Sequence, residues 1–422
     1  MKTCLLLGTV KFGRRILIGS AFVIALTWLS SARVLAQPAG QTVTIDAATL
    51  QQLLQRVDAL EREVKDLRAT RTPSGASAPA VAAPASPVPV AVTAAPVDTR
   101  EHYPQLEFHL LGDITLATST EHGSKSTFAL GDLDPVVTAK LSPNANVLGD
   151  FVIASDQQGF QFEVERLLAQ YKVNDSLAFE VGRYHTMIGY YNNTYHNGTY
   201  FQTTVDRPAI YDFEDGGGIL PVHSNGVSIN GEIPSGSLGL HYVAEVANGR
   251  DYDPEHAVFE VTDTNEHKAV NFALFARPEA LPGTQFGASA YRDRLTLGEL
   301  AVDQQIYSAY AVYKRGAIEW LNEGLLMRNT PVGDHAYSTT NFYTQFSRKF
   351  GKLRPYVRLE WRHTAEGDPV LSPLEQNESF RTQTIGLRYD FTPMMALKAE
   401  LERNLLPDES TTQATAQFTF RY

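Results

Sequence analysis

Residues 384–391 read Thr384-Ile385-Gly386-Leu387-Arg388-Tyr389-Asp390-Phe391. Ile385, Leu387, Tyr389 and Phe391 fall on one parity; Thr384, Gly386, Arg388 and Asp390 fall on the other. A side-chain period of two belongs to a β-strand, whose successive Cβ atoms point to opposite faces. The pattern recurs on either side of this stretch. Val357, Leu359 and Trp361 oppose Arg358, Glu360 and Arg362, and Leu238, Leu240, Tyr242, Ala244 and Val246 form a long stripe. Val227 and Ile229 oppose Ser228 and Asn230; Leu177, Phe179 and Val181 oppose Ala178, Glu180 and Gly182. The chain ends the same way, with Phe418, Phe420 and Tyr422 against Gln417, Thr419 and Arg421. One stripe is apolar or aromatic and the other carries ions. A soluble sandwich would bury the first and wet the second; a barrel in lipid would turn the first outward and keep the second in a wet lumen. The period is the same in both.

The connections are of two kinds. Short ones sit at Val173-Asn174-Asp175-Ser176, Pro234-Ser235-Gly236, Arg315-Gly316, Lys349 to Lys352 and Thr392-Pro393. Longer polar ones sit at 119–127, 190–225, 248–266 and 364–379. Short turns at one end and long loops at the other are the pattern of a transmembrane β-barrel. A strand crossing a bilayer needs roughly 9–11 residues. Allowing about 20 residues per strand plus loop, 101–422 holds roughly 16 strands, and 18 fit nearly as well. A 16-stranded barrel is wide enough for an aqueous channel. The expected fold is therefore all-β, an antiparallel transmembrane barrel preceded by a short coiled-coil helix.

Composition removes several other classes. The only Cys is Cys4, which excludes a disulfide scaffold or zinc finger. A net charge of −11 argues against a nucleic-acid binder. Only Ile16 to Ser30 forms a long uncharged apolar run, which argues against a bundle of membrane helices.

That run belongs to the first of four segments. Lys2, Lys11, Arg14 and Arg15 precede it and Val34-Leu35-Ala36 follows, the order of a secretory signal peptide cleaved after Ala36. Loss of 1–36 removes five basic residues and no acidic ones, taking the charge of −11 to about −16. In 37–69, Leu50, Leu53, Val57, Leu60, Val64 and Leu67 occupy alternating heptad a and d positions. A helix this short needs partner helices, most simply copies of itself. Residues 70–100 are rich in Pro and Ala and form an extended linker. The barrel follows at 101–422.

Phe179-Glu180-Val181-Gly182-Arg183-Tyr184-His185 runs into a long loop, and Arg207-Pro208, Gly216-Gly217-Gly218, Leu220-Pro221 and Gly226-Val227 follow. On these motifs the chain resembles a Gram-negative outer-membrane porin, and among porins the phosphate-selective porin-like barrels. Phe418, Phe420 and Tyr422 resemble the terminal signal read by the barrel-assembly machinery, although porins end more often in Phe. The heptads and spacer resemble the periplasmic coiled coil of some trimeric porins. The resemblance implies a passive channel for small hydrophilic solutes or ions in the cell outer membrane. It also implies a homotrimer, with the coiled coil in the periplasm. A structural protein tethered by its coiled coil to periplasmic or cell-wall partners is the alternative.

Residues expected at a pore constriction or in the lumen are Arg183, His185, Tyr190, Tyr195, His196, Asp206, Arg207, Asp212, Glu214, Arg358, Glu360, Arg362 and Arg388. Residues 190–225 contain no Lys, and their charges are Asp206, Arg207, Asp212, Glu214 and Asp215. An acidic loop inside the barrel would oppose anions by focusing a negative potential, against phosphate selectivity. The Tyr and Phe of 184–223 could stack on sugars or pack the loop. His185, His196 and His223 stand 11 and 27 residues apart, an irregular spacing without a local ligand pair, so no metal or other cofactor is expected. Ser224 adjoins His223, but neighbours in a strand face opposite ways, and neither G-x-S-x-G nor H-E-x-x-H occurs. An enzyme is not expected.

Overall fold

The computed structural model describes residues 103–422, apart from 122–123, 156–158, 197, 213–217, 251–264, 373–377 and 408. The signal peptide, coiled coil and linker expected in 1–100 lie outside the described residues. Sixteen strands are found among the described residues. The first eight are β1 (Gln105–Ser119), β2 (Thr127–Lys140), β3 (Ala145–Ser155), β4 (Phe160–Asn174), β5 (Leu177–His185), β6 (His223–Ile233), β7 (Leu240–Asn248) and β8 (Lys268–Ala276). The rest are β9 (Thr284–Leu297), β10 (Leu300–Arg315), β11 (Ile318–Pro331), β12 (Tyr337–Arg348), β13 (Leu353–His363), β14 (Phe380–Thr392), β15 (Met395–Leu405) and β16 (Ser410–Arg421).

Each strand pairs antiparallel with the next, and β1 pairs with β16 to close a barrel. The closing register runs from Leu111 opposite Arg421 to Ser119 opposite Gln413. Tyr422 extends it by exchanging backbone hydrogen bonds with Leu110. Closure leaves no strand edge with unpaired backbone, the condition for a sheet to stand in hydrocarbon.

Because successive strands reverse direction, alternate connections share an end. The turns at 175–176, 234–239, 316–317, 349–352 and 393–394 lie at one end, with the start of β1 and the end of β16. The connections at 120–126, 186–222, 249–267 and 364–379 lie at the other.

Side-chain exposure resolves the ambiguity left by the period. On β13, Val357, Leu359 and Trp361 are 41–49% exposed, whereas Arg358, Glu360 and Arg362 are 1–4% exposed. The same inversion holds on β14 and β15, where Ile385 and Leu401 are exposed and Arg388, Lys398 and Glu400 are buried. A sheet with its apolar face outward and its ions enclosed is matched to lipid outside and a polar interior.

The interior is not uniformly polar. Ile188, Tyr191, Ile210, Tyr211 and Leu220, from the connection between β5 and β6, join a buried apolar cluster with Ile306, Leu321, Met327 and Tyr343 of β10–β12. That connection therefore packs within the barrel as a second layer against the β8–β12 wall.

Candidate functional site

The connection 186–222 leaves β5 and turns into the lumen. Among its described residues are one short helix, α1 (Tyr191–Tyr195), and a 3-10 turn at Ala209–Tyr211. Irregular backbone in an enclosed space must find partners for its N–H and C=O groups. Here the barrel wall supplies them, and the sign of the wall charge decides which group is served.

Wall carboxylates accept loop N–H groups. Glu245 on β7 accepts from Met187 N at 3.1–3.2 Å, Glu360 on β13 from Ala209 N at 2.7 Å, and Glu400 on β15 from Val205 N at 3.0 Å. Glu323 on β11 accepts the most. Tyr190 N and Tyr191 N reach it at 2.6 and 3.0 Å, Tyr211 OH at 2.6 Å, and Tyr343 OH donates as well. Gly189 precedes this cradle with φ +73°, and a Cβ there would collide with the Tyr211 hydroxyl, so the turn needs glycine.

Wall cations donate to loop carbonyls. Arg358 Nη1 donates to Asp206 O at 2.7 Å and to Thr204 Oγ1 at 3.0 Å. Arg388 Nη1 donates to Tyr200 O and Gln202 O at 2.7 and 2.8 Å, and Arg362 Nη2 to Ala209 O at 3.2 Å. Lys398 Nζ donates to Thr199 O and to Thr204 O. Charge-assisted bonds of this kind are roughly twice as strong as neutral ones. Arg358 is also paired with Glu360 at 2.7 Å and Glu402 at 3.6 Å.

The loop thus touches β1 and β16 through Thr199 (with Asp113 and Thr419), β10 through Ser308, and β7, β11, β13, β14 and β15 as above. Its tip reaches the far end. Tyr200 OH donates to Pro393 O, in the turn between β14 and β15, at 2.6 Å. Arg388 and Arg421 lie over the Tyr200 ring at 5.0 and 5.1 Å.

The residues singled out from the sequence are placed as follows. Arg358, Glu360, Arg362 and Arg388 are buried against the loop, and Arg183 on β5 donates from Nε to Glu165 O at 3.1 Å. Tyr195 is buried and bonded to Glu319, and Tyr190 packs at the edge of the apolar cluster. Asp206 is exposed; Arg207 and Asp212 are half-buried on the loop, Arg207 donating to Tyr211 O at 3.3 Å. Glu214 lies outside the described residues. The aromatic rings of Tyr191, Tyr195 and Tyr211 are used in packing, whereas Phe201 stays exposed beside the tip.

Below the tip, toward the end with the short turns, lies a cavity of about 610 Å³. Tyr200, Phe201 and Thr203 roof it. Six basic side chains (Lys314, Lys349, Lys352, Arg354, Arg388 and Arg421) line it against two acidic ones, Glu319 and Asp390. Apart from Arg388, the sequence reading missed these cations. The clue lay in their crowding at the strand ends beside the short turns. Glu323 and Lys398 were missed too, although both stand on the polar parity of their strands.

His185 and His196 come together as well. Their ring centroids are 3.9 Å apart, with His223 alongside and Glu165 of β4 against His196 and His223.

No protein-family model and no curated protein sequence matches the chain. Solved structures do match in fold. The anion-selective porin from Comamonas acidovorans superposes with a TM-score of 0.56 at 12% identity, covering 75% of this chain and 99% of the other. Salmonella typhi OmpF, in complex with daunomycin, gives 0.54 at 12% identity over 76% and 98%. Outer-membrane expressed OmpT of Vibrio cholerae gives 0.50 at 11% identity over 76% and 99%. The fold is that of the porin barrels as a broad class, and the likeness does not single out the phosphate-selective type.

Proposed function

We propose that this protein is an outer-membrane porin, a water-filled channel for passive diffusion of small hydrophilic solutes or ions, narrowed by the loop 186–222. One observation carries the reading: a closed barrel has its apolar face outward and its ionised face inward, and a loop is moored to that inner face by charge-assisted bonds. A barrel so built has its solvent path inside. The reading is of a channel rather than an enzyme.

The cavity below the loop tip favours anions at that mouth. This opposes the mild cation preference that the loop acids alone suggest, because six basic groups converge there. The physical test is conductance of the purified protein in planar bilayers. Discrete ohmic steps in the nanosiemens range support the channel. Their absence from folded, heat-modifiable protein overturns it. Reversal potential under a salt gradient then reads the ion preference.

The heptads of 37–69 support a second element, a periplasmic coiled coil that joins copies of the chain, as a trimer, on a spacer at 70–100. The terminal aromatic parity of Phe418, Phe420 and Tyr422 supports delivery by the barrel-assembly machinery. Deletion of 41–69 is expected to leave the barrel folded and weaken the oligomer. An unchanged oligomer would remove that role.

A further inference from the structure

We propose that His185, His196, His223 and Glu165 form a binding site for one divalent transition-metal ion of zinc-like preference, which fastens the neck of the inner loop to the barrel wall. The proposal goes beyond the channel reading and does not depend on it.

The four side chains are brought together by topology, not by local spacing. His185 ends β5 and His223 begins β6, and the two are directly paired across the strands. Between them runs the whole loop, and His196 returns to their level immediately after α1. On the other side, the pairing of Leu167 with Arg183 brings Glu165 level with His185. The site therefore stands where the chain leaves the wall and where it rejoins it.

The geometry is that of convergent ligands. One ligand nitrogen from each histidine lies within 4.8 Å of the others. His196 Nε2 and His223 Nε2 are 3.0 Å apart, and Glu165 Oε2 lies 3.5 Å from the first and 2.6 Å from the second. Zinc–nitrogen bonds of about 2.0–2.1 Å in a tetrahedron put ligand atoms about 3.3 Å apart, close to the 3.0 Å between His196 and His223 and the 3.5 Å between His196 and Glu165. Three imidazoles and one carboxylate suit zinc, and also cobalt, nickel or copper.

Two further observations point to a ligand. The first is the orientation of His196. Asn192 Nδ2 donates to Thr186 O at 2.9 Å and to Val222 O at 3.1 Å, which fixes its amide. Asn192 Oδ1 then faces His196 Nδ1 at 3.1 Å, so Nδ1 carries the proton and Nε2 presents its lone pair inward. An outer partner that sets the tautomer is the usual companion of a metal-binding imidazole. The second is His185, which is 7% exposed and whose Nε2 makes no hydrogen bond. A buried polar atom without a partner costs free energy unless something occupies it. The nearby cation Arg166 is turned to Asp150, 3.0 Å away, and Asp134 and Asp150 add buried acidic groups on the neighbouring strands.

The test uses the mature, untagged full-length protein in detergent, stripped with a chelator, dialysed and titrated with zinc. The expected result is one zinc bound per chain. Occupancy should fall at least tenfold in His196→Gln and in His223→Gln, each checked for heat-modifiable folding, and stay unchanged in the exposed His335→Gln. No stoichiometric zinc in the wild type, or full occupancy in both site variants, overturns the proposal. Should the variants fail to fold, cobalt loading of the wild type decides. Intense visible bands of a four-coordinate nitrogen–oxygen site support it, and a weak octahedral spectrum overturns it.

Discussion

The hydroxyl of Tyr200 donates a 2.6 Å hydrogen bond to the carbonyl of Pro393. Tyr200 belongs to a loop that enters from the end with the long connections, and Pro393 lies in a short turn at the other end. The loop therefore descends the height of the barrel before it returns. Everything proposed about permeation depends on that path.

Tyr200→Phe removes this bond and keeps the ring between Arg388 and Arg421. A single hydrogen bond contributes about 0.5–1.5 kcal/mol, so the barrel's stability should hardly change while the tip loosens. Single-channel traces are expected to show more current noise at unchanged unfolding temperature. Traces identical to wild type would place the tip off the conducting path.

Glu323 collects four donors, two of them loop amides. Glu323→Ala leaves those donors buried and unmatched, at a cost of about 1–3 kcal/mol for each one that water does not rescue. Glu323→Gln retains an oxygen acceptor and should lose much less. Denaturant unfolding gives the stability difference. Limited proteolysis should cut the loop only in the alanine variant.

Leu359 is 49% exposed at the middle of β13. Leu359→Arg should destabilise insertion by about 2–4 kcal/mol if that face meets the bilayer midplane. Reversible folding into phospholipid vesicles measures this. A change near zero would mean that the face meets water.

Lys314, Lys349 and Lys352 line the cavity under the loop. Replacing all three with Gln should move the reversal potential toward cations in a potassium chloride gradient. The shift should shrink as ionic strength rises, because the screening length falls from about 10 Å at 0.1 M to about 3 Å at 1 M. An unchanged reversal potential would remove the cavity from the permeation path.

The barrel was legible because its signal is local and repeated. Val357, Leu359 and Trp361 alternate with Arg358, Glu360 and Arg362, and the parity holds from strand to strand. The site was only half legible. Arg358, Glu360, Arg362 and Arg388 are recognisable as interior ions, but their work is not. They solvate loop backbone, and nothing in a strand's own sequence names a partner some 150 residues away. Glu323 and Lys398 look like any other polar-parity residue. The histidines illustrate the same limit: separations of 11 and 27 residues argue against a local ligand motif, yet the pairing of β5 with β6 removes most of that distance.

By itself, then, the sequence determined the strand period, the two unlike faces, the approximate strand number and the ends that carry long or short connections. These follow from side-chain parity and turn composition, which act over a few residues. A period of two is symmetric between soluble and membrane sheets, so the outward apolar face expected from the turn and loop pattern was established only by the tertiary structure. It also decided that the loop 186–222 runs inward and that wall charges hold it by sign. Three distant histidines meet for the same reason: the pairing of β5 with β6 and the return of the loop set them side by side, which no local pattern encodes.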